Sequence, residues 1–142
     1  MIAFSENVIS LRTAVFEDDG VLATLVLLPP DPDRRPDGHL HRGVCWVYRR
    51  HPSLHSTSAK ASLKKHTGST VFENLRPLKI GLDPEVSFLW SESGHSVAVV
   101  VDGEPMGFIS EHKHCPYSKS EKTPPVNQNP WDEDVFRRLF PA

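Results

Sequence analysis

Two apolar runs near the start of the sequence flank a short acidic segment. Residues 8–16 (VISLRTAVF) and 21–28 (VLATLVLL) are rich in β-branched and aliphatic side chains, which favour strands. The segment between them, EDDG at 17–20, ends in an Asp-Gly step that supplies the positive φ of a tight turn. This pattern predicts an antiparallel hairpin. The second run is almost continuously apolar, which indicates a strand covered on both faces and therefore inside a sheet.

The clearest strand pattern lies at residues 86–109. The runs VSFLW, HSVAVVV and EPMGFI are separated by the turn sequence SESG and by Asp102-Gly103. Three β-type runs with turn residues between them predict an antiparallel meander. A further strand is expected at 44–49 (VCWVYR), where aromatic and β-branched residues again predominate.

Prolines interrupt much of the remaining sequence. Residues 29–38 carry four prolines in ten positions, and residues 111–129 contain three more, so both segments are predicted to be irregular surface loops. Between the strands, residues 58–66 (SAKASLKKH) can form a short helix with Ser58 as its cap and Gly68 as its stop.

The segment NPWDEDVFRRLFP at 129–141 predicts a short C-terminal helix. Asn129 is the expected cap and Pro130 suits the first helical position, while acidic residues lie near the positive end of the helix and arginines near its negative end. The apolar residues form one stripe that should seal against the sheet. They are Trp131, Val135, Phe136, Leu139 and Phe140.

Length and composition complete the fold prediction. A chain of 142 residues has room for one domain, which we assign to residues 1–142, and 38% hydrophobic residues with a net charge of -2 suit a globular protein. We predict an α+β fold with an antiparallel, meander-rich sheet of about six strands. The short C-terminal helix covers this sheet, and long proline-rich loops join its strands. No apolar run reaches the roughly 20 residues of a spanning helix and no leader is evident, so we expect a cytoplasmic protein without a membrane partner.

Two segments resemble a family of small bacterial proteins that has no assigned chemistry. They are FEDDG at 16–20 and WSESGHSVAVVVDGEPMGFIS at 90–110, which are similar to an acidic-glycine turn and a W-S-x-x-G hairpin in that family. The resemblance covers the first hairpin, the meander and the terminal aromatic helix, and it leaves the histidine-rich middle unmatched. It implies a compact α+β fold and a bacterial origin, and it supplies no catalytic residues.

Basic residues are concentrated in the middle of the chain. Residues 34–66 hold eight basic side chains, one acidic side chain and five of the eight histidines, whereas residues 1–33 hold one basic and six acidic side chains. Arg42, Arg49 and Arg50 are therefore candidates for binding nucleic acid or another anionic ligand, with aromatic residues nearby for stacking. The acidity of the whole chain argues against a strong attraction to nucleic acid. We keep this function as the alternative.

Histidines and cysteines cluster in two places. His39 and His41 precede Cys45, and the sequence EHKHC at 111–115 forms the second group. Neither group has the spacing typical of structural zinc, so we expect solvated histidines and no metal or other cofactor. Cys45 lies in a predicted strand and should be a buried apolar residue, whereas Cys115 is the thiol with a neighbouring candidate base, His114.

The sequence contains no motif typical of an active site. It lacks a G-x-S-x-G elbow, a phosphate-binding glycine loop and a carboxylate pair at a diagnostic spacing, so we predict no catalytic residues. Acidic turns suit a protein partner, because rim carboxylates steer association. The leading hypothesis is a non-enzymatic protein-binding module, most concretely an immunity-type inhibitor of a bacterial toxin, by analogy of protein type. The candidate contact residues are Glu17, Asp18, Asp19, Trp90, Glu92, His112 and His114.

Overall fold

Ten strands form two five-stranded sheets in the computed structural model, which describes residues 1–31, 33, 41–55 and 59–141. The first sheet contains, in chain order, β1 (Ile2–Glu6), β2 (Thr13–Asp18), β3 (Leu22–Leu28), β4 (Gly43–Arg50) and β5 (Pro77–Leu78). The second contains β6 (Val86–Trp90), β7 (Val97–Val101), β8 (Glu104–Ile109), β9 (Pro116–Ser118) and β10 (Asn129–Pro130). Strands that follow each other within a sheet are also neighbours in space. The pairs are antiparallel except for two short parallel pairs, β4 with β5 and β9 with β10.

The first predicted hairpin is confirmed. β2 and β3 pair antiparallel with Phe16 opposite Leu25, and β3 lies at the centre of its sheet, as its apolar run indicated. The first strand of the hairpin is shorter than predicted, because it begins at Thr13 rather than at residue 8. Val8 and Ile9 lie before it and are exposed.

The predicted meander is also confirmed. β6, β7 and β8 pair antiparallel in succession. Asp102 and Gly103 connect β7 to β8 with φ angles of 50° and 81°, and two successive positive φ angles are what an Asp-Gly hairpin turn requires. Turn chemistry that can be identified in the sequence therefore positions the β7–β8 hairpin, whose register shifts once, between Val99 and Val100.

The described residues contain ten strands in two sheets, whereas the sequence pattern predicted one sheet of about six strands. The additional strands are β1, β5, β9 and β10. The last three span only two or three residues, and each contains a proline, a residue that is unfavourable inside a sheet. β1 was missed for another reason: its apolar side chains Ile2 and Phe4 are exposed, so no buried face marks it in the sequence.

The two sheets share an apolar interior. Phe16, Leu25 and Val47 of the first sheet are completely buried in one cluster with Val97 and Val99 of the second. Alternate residues of β2, β3 and β7 enter this cluster, as the two-residue period of a strand requires. In β4 the consecutive residues Val47 and Tyr48 both enter it, at the register shift opposite Ala23 and Thr24.

Cys45 also lies in this shared interior, which confirms that it is a buried residue. Its thiol donates to the carbonyl of Tyr117 at 3.3 Å, and burial raises its pKa. A thiol held in its protonated form does not act as a nucleophile at neutral pH.

Polar side chains join the sheets where β4 passes β8 and β9. The side-chain amide of Gln128 accepts a hydrogen bond from the N–H of Trp46 at 3.0 Å and donates one to the carbonyl of Trp46 at 2.6 Å. It therefore satisfies the backbone groups of Trp46 in β4 as a neighbouring strand would. The hydroxyl of Ser118 donates to the carbonyl of Val47 at 2.6 Å. These three bonds connect segments that are far apart in the sequence.

The described part of the chain contains the α-helices α1 (Lys60–His66), α2 (Thr70–Glu73) and α3 (Glu133–Leu139) and a 3₁₀ turn at Pro52–Leu54. α1 confirms the short helix predicted near 58–66, although its cap position is Ala59, without a side-chain bond, and Ser58 lies outside the described residues. α1 and α2 cover the first sheet on the side away from the second, where Phe72 is buried beside Leu22 and Trp46. None of the described helices is long and apolar enough to cross a bilayer.

The C-terminal helix is confirmed, but its predicted cap was wrong. Asp132 caps α3 by accepting hydrogen bonds from the N–H groups of Asp134 and Val135, and Asn129 and Pro130 form β10 instead. Both Asn and Asp are good caps, so composition did not distinguish them. The proline-rich loop predicted at 29–38 lies largely outside the described residues.

Candidate partner-binding groove

Aromatic packing holds α3 against the second sheet. Phe108 of β8 is completely buried, and α3 packs over it and Ala98. The centroid of the Phe108 ring lies 4.5 to 5.9 Å from the centroids of four other aromatic rings. These belong to Tyr117, Trp131, Phe136 and Phe140. The apolar stripe predicted for the terminal helix therefore does contact the sheet, and Phe136, at 8% exposure, is the residue that it buries best.

A groove of about 990 Å³ lies between β6 and α3. Two residues of β6, one of the following turn, and four from α3 and the residues after it line this groove. They are Leu89, Trp90, Glu92, Phe136, Arg137, Phe140 and Pro141. The lining is mostly apolar, and Leu89 remains 38% exposed. The apolar stripe of α3 is thus wider than the sheet surface that it covers.

Two smaller depressions continue this groove around α3. The first, of about 420 Å³, shares Glu92 and Pro141 with it and adds the serines of the β6–β7 turn. The second, of about 510 Å³, shares Glu111, Arg138 and Leu139 with the first. We call the surface formed by these three linings the α3 groove.

Three of the predicted contact residues lie along the α3 groove. Trp90 and Glu92 line its largest part, and the exposed His112 lines the depression beside Val135. Trp90 is fixed at its polar end, because its indole N–H donates to the hydroxyl of Ser5 at 3.0 Å. The sequence pattern found these residues because all three are in or beside turns.

Two other predicted residues lie on a different surface. Glu17 and Asp19 line a polar cavity of about 240 Å³ between the first hairpin and the α1–α2 segment. His66 bonds to the Asp19 carboxylate at 2.8 Å. Burial raises the pKa of Asp19, but two backbone N–H groups and His66 stabilise the carboxylate more strongly, so its pKa lies below the usual value.

Asp18 does not lie on a contact surface, which corrects its prediction as a partner-binding residue. Its side chain is 2% exposed and pairs with the equally buried Arg50, the shortest distance between their nitrogen and oxygen atoms being 2.6 Å. Asp18 also accepts bonds from the hydroxyl of Tyr48 at 2.7 Å and the N–H of Gly20 at 2.9 Å. Since successive strand residues point to opposite faces, the neighbour Glu17 faces solvent and Asp18 faces the interior.

The arginines predicted to bind an anion do not form one basic surface. Arg50 is buried beside Asp18 and donates to the carbonyls of Ile80 and Gly81. Burial lowers the pKa of Arg50, but the Asp18 carboxylate outweighs this effect and raises it. Arg49 lies over the ring of Phe72 and donates to a backbone carbonyl at 2.6 Å. Of the three candidates, Arg42 alone is exposed.

His114, which was predicted as a contact residue, is partly exposed, and its ring contacts a buried cation. The side chain of Arg12 is completely buried and donates to the carbonyls of Leu28 and His41 at 3.2 and 2.6 Å. Its two terminal nitrogens lie 3.3 Å from Nε2 of His114. Arginine only donates, so Nε2 accepts and His114 is neutral in this arrangement. Burial first, and the charge of Arg12 second, lower the pKa of His114.

No three His, Cys, Asp or Glu side chains within the described residues come together as a metal would need. His39, one of the histidines considered for such a site, lies outside those residues. Cys115 is a free, partly buried thiol. The histidine next to it in sequence bonds to Arg12, so the structure gives no support for His114 as its activating base.

Sequence reasoning missed several residues of the α3 groove. Leu89 and Phe140 belong to apolar patterns that indicated burial, and they remain partly open because α3 packs on Ala98 of β7 and Phe108 of β8 and not on β6. Arg137 and Arg138 were assigned only to the helix dipole. The signal that could have indicated a groove is the number of large apolar residues in this one short segment. There are five between Trp131 and Phe140, which is many for a helix of two turns to bury.

Comparisons with known proteins gave no match. No family model, no curated protein and no solved structure is significantly similar to this chain. The resemblance of the FEDDG and WSESG segments to a bacterial family therefore stays a hypothesis.

Proposed function

We propose that this protein is a binding module that holds a protein partner in the α3 groove. The observation that carries the proposal is an open apolar floor bordered by charged side chains along one helix. Protein interfaces place aromatic and aliphatic anchors at their centre and charged residues at the rim. Three residues selected from the sequence as partner contacts lie on this same surface.

The lining of the groove defines the chemistry of the partner. Leu89, Phe140 and Pro141 offer contacts to one large apolar side chain. Glu92 and Arg137 border that position with opposite charges. A partner segment that complements this arrangement has an aromatic or aliphatic anchor between a basic and an acidic residue.

In its most concrete form, the proposal is an immunity-type inhibitor that covers the active site of a bacterial toxin. This part rests on analogy with a type of protein that is small, acidic and without catalytic residues, properties that suit a chain of 142 residues with a net charge of -2. The toxin would be the product of the neighbouring gene. The α3 groove is then the surface that meets it.

The experiment mixes the purified protein with the purified product of the neighbouring gene and follows both by size-exclusion chromatography. We expect the two to elute as one complex. Leu89→Asp should weaken the complex at least about tenfold, because it removes an apolar contact and buries an unpaired charge in the groove.

Leu82→Asp is the matched control, because Leu82 is 77% exposed and lies outside the α3 groove. It should leave the complex unchanged. Separate elution of the wild-type proteins would refute the toxin-inhibitor form of the proposal. A complex that forms equally well with Leu89→Asp would refute the groove as the docking site.

A further inference from the structure

β1 is one of the two outer strands of the first sheet, and among the described residues its backbone has one open side. It pairs with β2, and no strand among the described residues pairs with it on the other side. Asp18 and Met1 exchange two backbone hydrogen bonds, each of 2.9 Å. In an antiparallel ladder, hydrogen-bonded residue pairs alternate with pairs that are not hydrogen-bonded. Ala3, two residues after Met1, therefore also bonds to β2, whereas the N–H and C=O groups of Ile2 and Phe4 point away from β2.

The side chains at these positions are exposed as well. Ile2 is 63% and Phe4 is 74% exposed, although both are large and apolar. Native edge strands are usually protected from pairing by a lysine, a proline or a bulge. The sequence of β1, IAFSE, contains neither lysine nor proline, its one charged side chain is Glu6 at the end of the strand, and its pairing with β2 is regular over all five residues.

From this edge we infer that the protein forms a dimer in which β1 pairs antiparallel with β1 of a second copy, with Phe4 opposite Phe4 across a two-fold axis. The register follows from the backbone. A two-fold axis at Phe4 lets the two residues exchange both of their outward hydrogen bonds, as a directly opposed antiparallel pair does. An axis at Ala3 would need N–H and C=O groups that already bond to β2.

The charges along β1 select the same register. With the axis at Phe4, Ile2 of one copy faces Glu6 of the other, and no like charges oppose each other. With the axis at Glu6, the two glutamates would lie opposite each other, which is unfavourable in a strand pair. An axis at Ile2 would leave most of the strand without a partner. The pairing joins the first sheets of two copies into one continuous sheet.

The outward edge and the exposed face of β1 (Ile2 and Phe4) do not line the α3 groove, which lies against the second sheet; the one side-chain bond between the two regions joins Trp90 to Ser5, on the other face of β1. The inference therefore does not rest on the proposed function. A failure of one leaves the other standing, because substitutions in β1 and in the groove affect different measurements.

The test is the mass of the protein in solution, measured by light scattering over a range of concentrations. We expect twice the monomer mass of 15.9 kDa at high concentration. Phe4→Lys places like charges across the axis and should weaken the dimer at least about tenfold. Phe4→Pro should do the same, because proline removes an outward N–H while the bonds to β2 remain.

Val8→Lys is the control, since Val8 is 85% exposed and lies beyond β1; it should remain dimeric. Circular dichroism checks that each variant is folded. A second readout is independent of dimer strength: with Cys115→Ser, the variant Phe4→Cys should form an intermolecular disulfide under mild oxidation, because opposed strand residues lie within bonding range. A wild-type protein that stays monomeric at high concentration would overturn the inference. So would a dimer that keeps its strength in both Phe4 variants and gives no disulfide.

Discussion

Asp18 connects parts of the molecule that are distant in sequence. Its carboxylate accepts bonds from Gly20, Tyr48 and Arg50, and Arg50 extends the network to the carbonyls of Ile80 and Gly81. The first hairpin, β4 and the segment before β6 are therefore held by one buried ion pair. A pair of this kind is costly to break, because removing one charge leaves the other without compensation.

Asp18→Asn should lower the free energy of unfolding by about 3–5 kcal/mol, because Arg50 then stays buried without a counter-charge. Urea denaturation followed by fluorescence measures this change. Glu17→Gln is the control, since Glu17 is exposed on the same strand, and it should change stability by less than about 0.5 kcal/mol. Equal effects of the two substitutions would show that the ion pair is not a major contributor.

The burial of His114, together with its contact with Arg12, makes stability depend on pH. The pKa of His114 in the folded protein is below its usual value near 6.5, so the unfolded chain binds a proton more readily. Stability is therefore present above that usual pKa and declines as the pH falls below it. Protonation also removes the acceptor of Arg12 and places two positive charges together.

We expect the free energy of unfolding of the wild type to fall between about pH 7.5 and pH 5.5. His114→Gln should reduce this fall, because the glutamine oxygen still accepts from Arg12 and does not titrate. His112→Gln, at the exposed neighbouring histidine, should keep the wild-type slope. Denaturation curves at the two ends of this pH range measure the change. An equal fall in the free energy of unfolding for the His114 variant and the wild type would contradict the assignment of the pH dependence to His114.

At the scale of elements, α3 depends on its cap and on its aromatic face. Asp132 satisfies two N–H groups at the start of a helix of only seven residues. Asp132→Ala should cost about 1 kcal/mol of stability, because those groups lose their partner. Asp83→Ala, at an exposed carboxylate outside the helices, provides the control in thermal denaturation. A loss as large in the control would show that the effect is one of general charge and not of capping.

The sequence pattern predicted those elements whose signals are local. Turn residues between β-type runs located the first hairpin and the meander, and the apolar stripe with opposite charges at its two ends located α3, although its cap was assigned to the wrong residue. The strands that were missed depend on distant partners: β5 and β10 each pair parallel with a neighbour over two residues, and no local pattern specifies such a contact. β1 was missed because its apolar residues face away from the core. Apolar residues at alternate positions normally mark the buried face of a strand, and here they mark the exposed face.

The whole molecule shows why a candidate site was harder to predict than the fold. Trp90 and Glu92 were selected as turn residues, but the apolar residues that form a groove with them come from α3 and the residues after it. Adjacent residues in the sequence are separated instead: Glu17 faces solvent, Asp18 is buried, and Asp19 bonds to His66. Which charges remain at the surface is decided by long-range packing, and composition alone does not specify it.

The most direct test of the α3 groove is hydrogen–deuterium exchange of the protein with and without the product of the neighbouring gene. Our account predicts slower exchange in peptides that cover residues 87–93 and 133–141, and unchanged exchange in peptides that cover α1 and α2. Protection of α1 and α2, with exchange around the α3 groove unaltered, would contradict it.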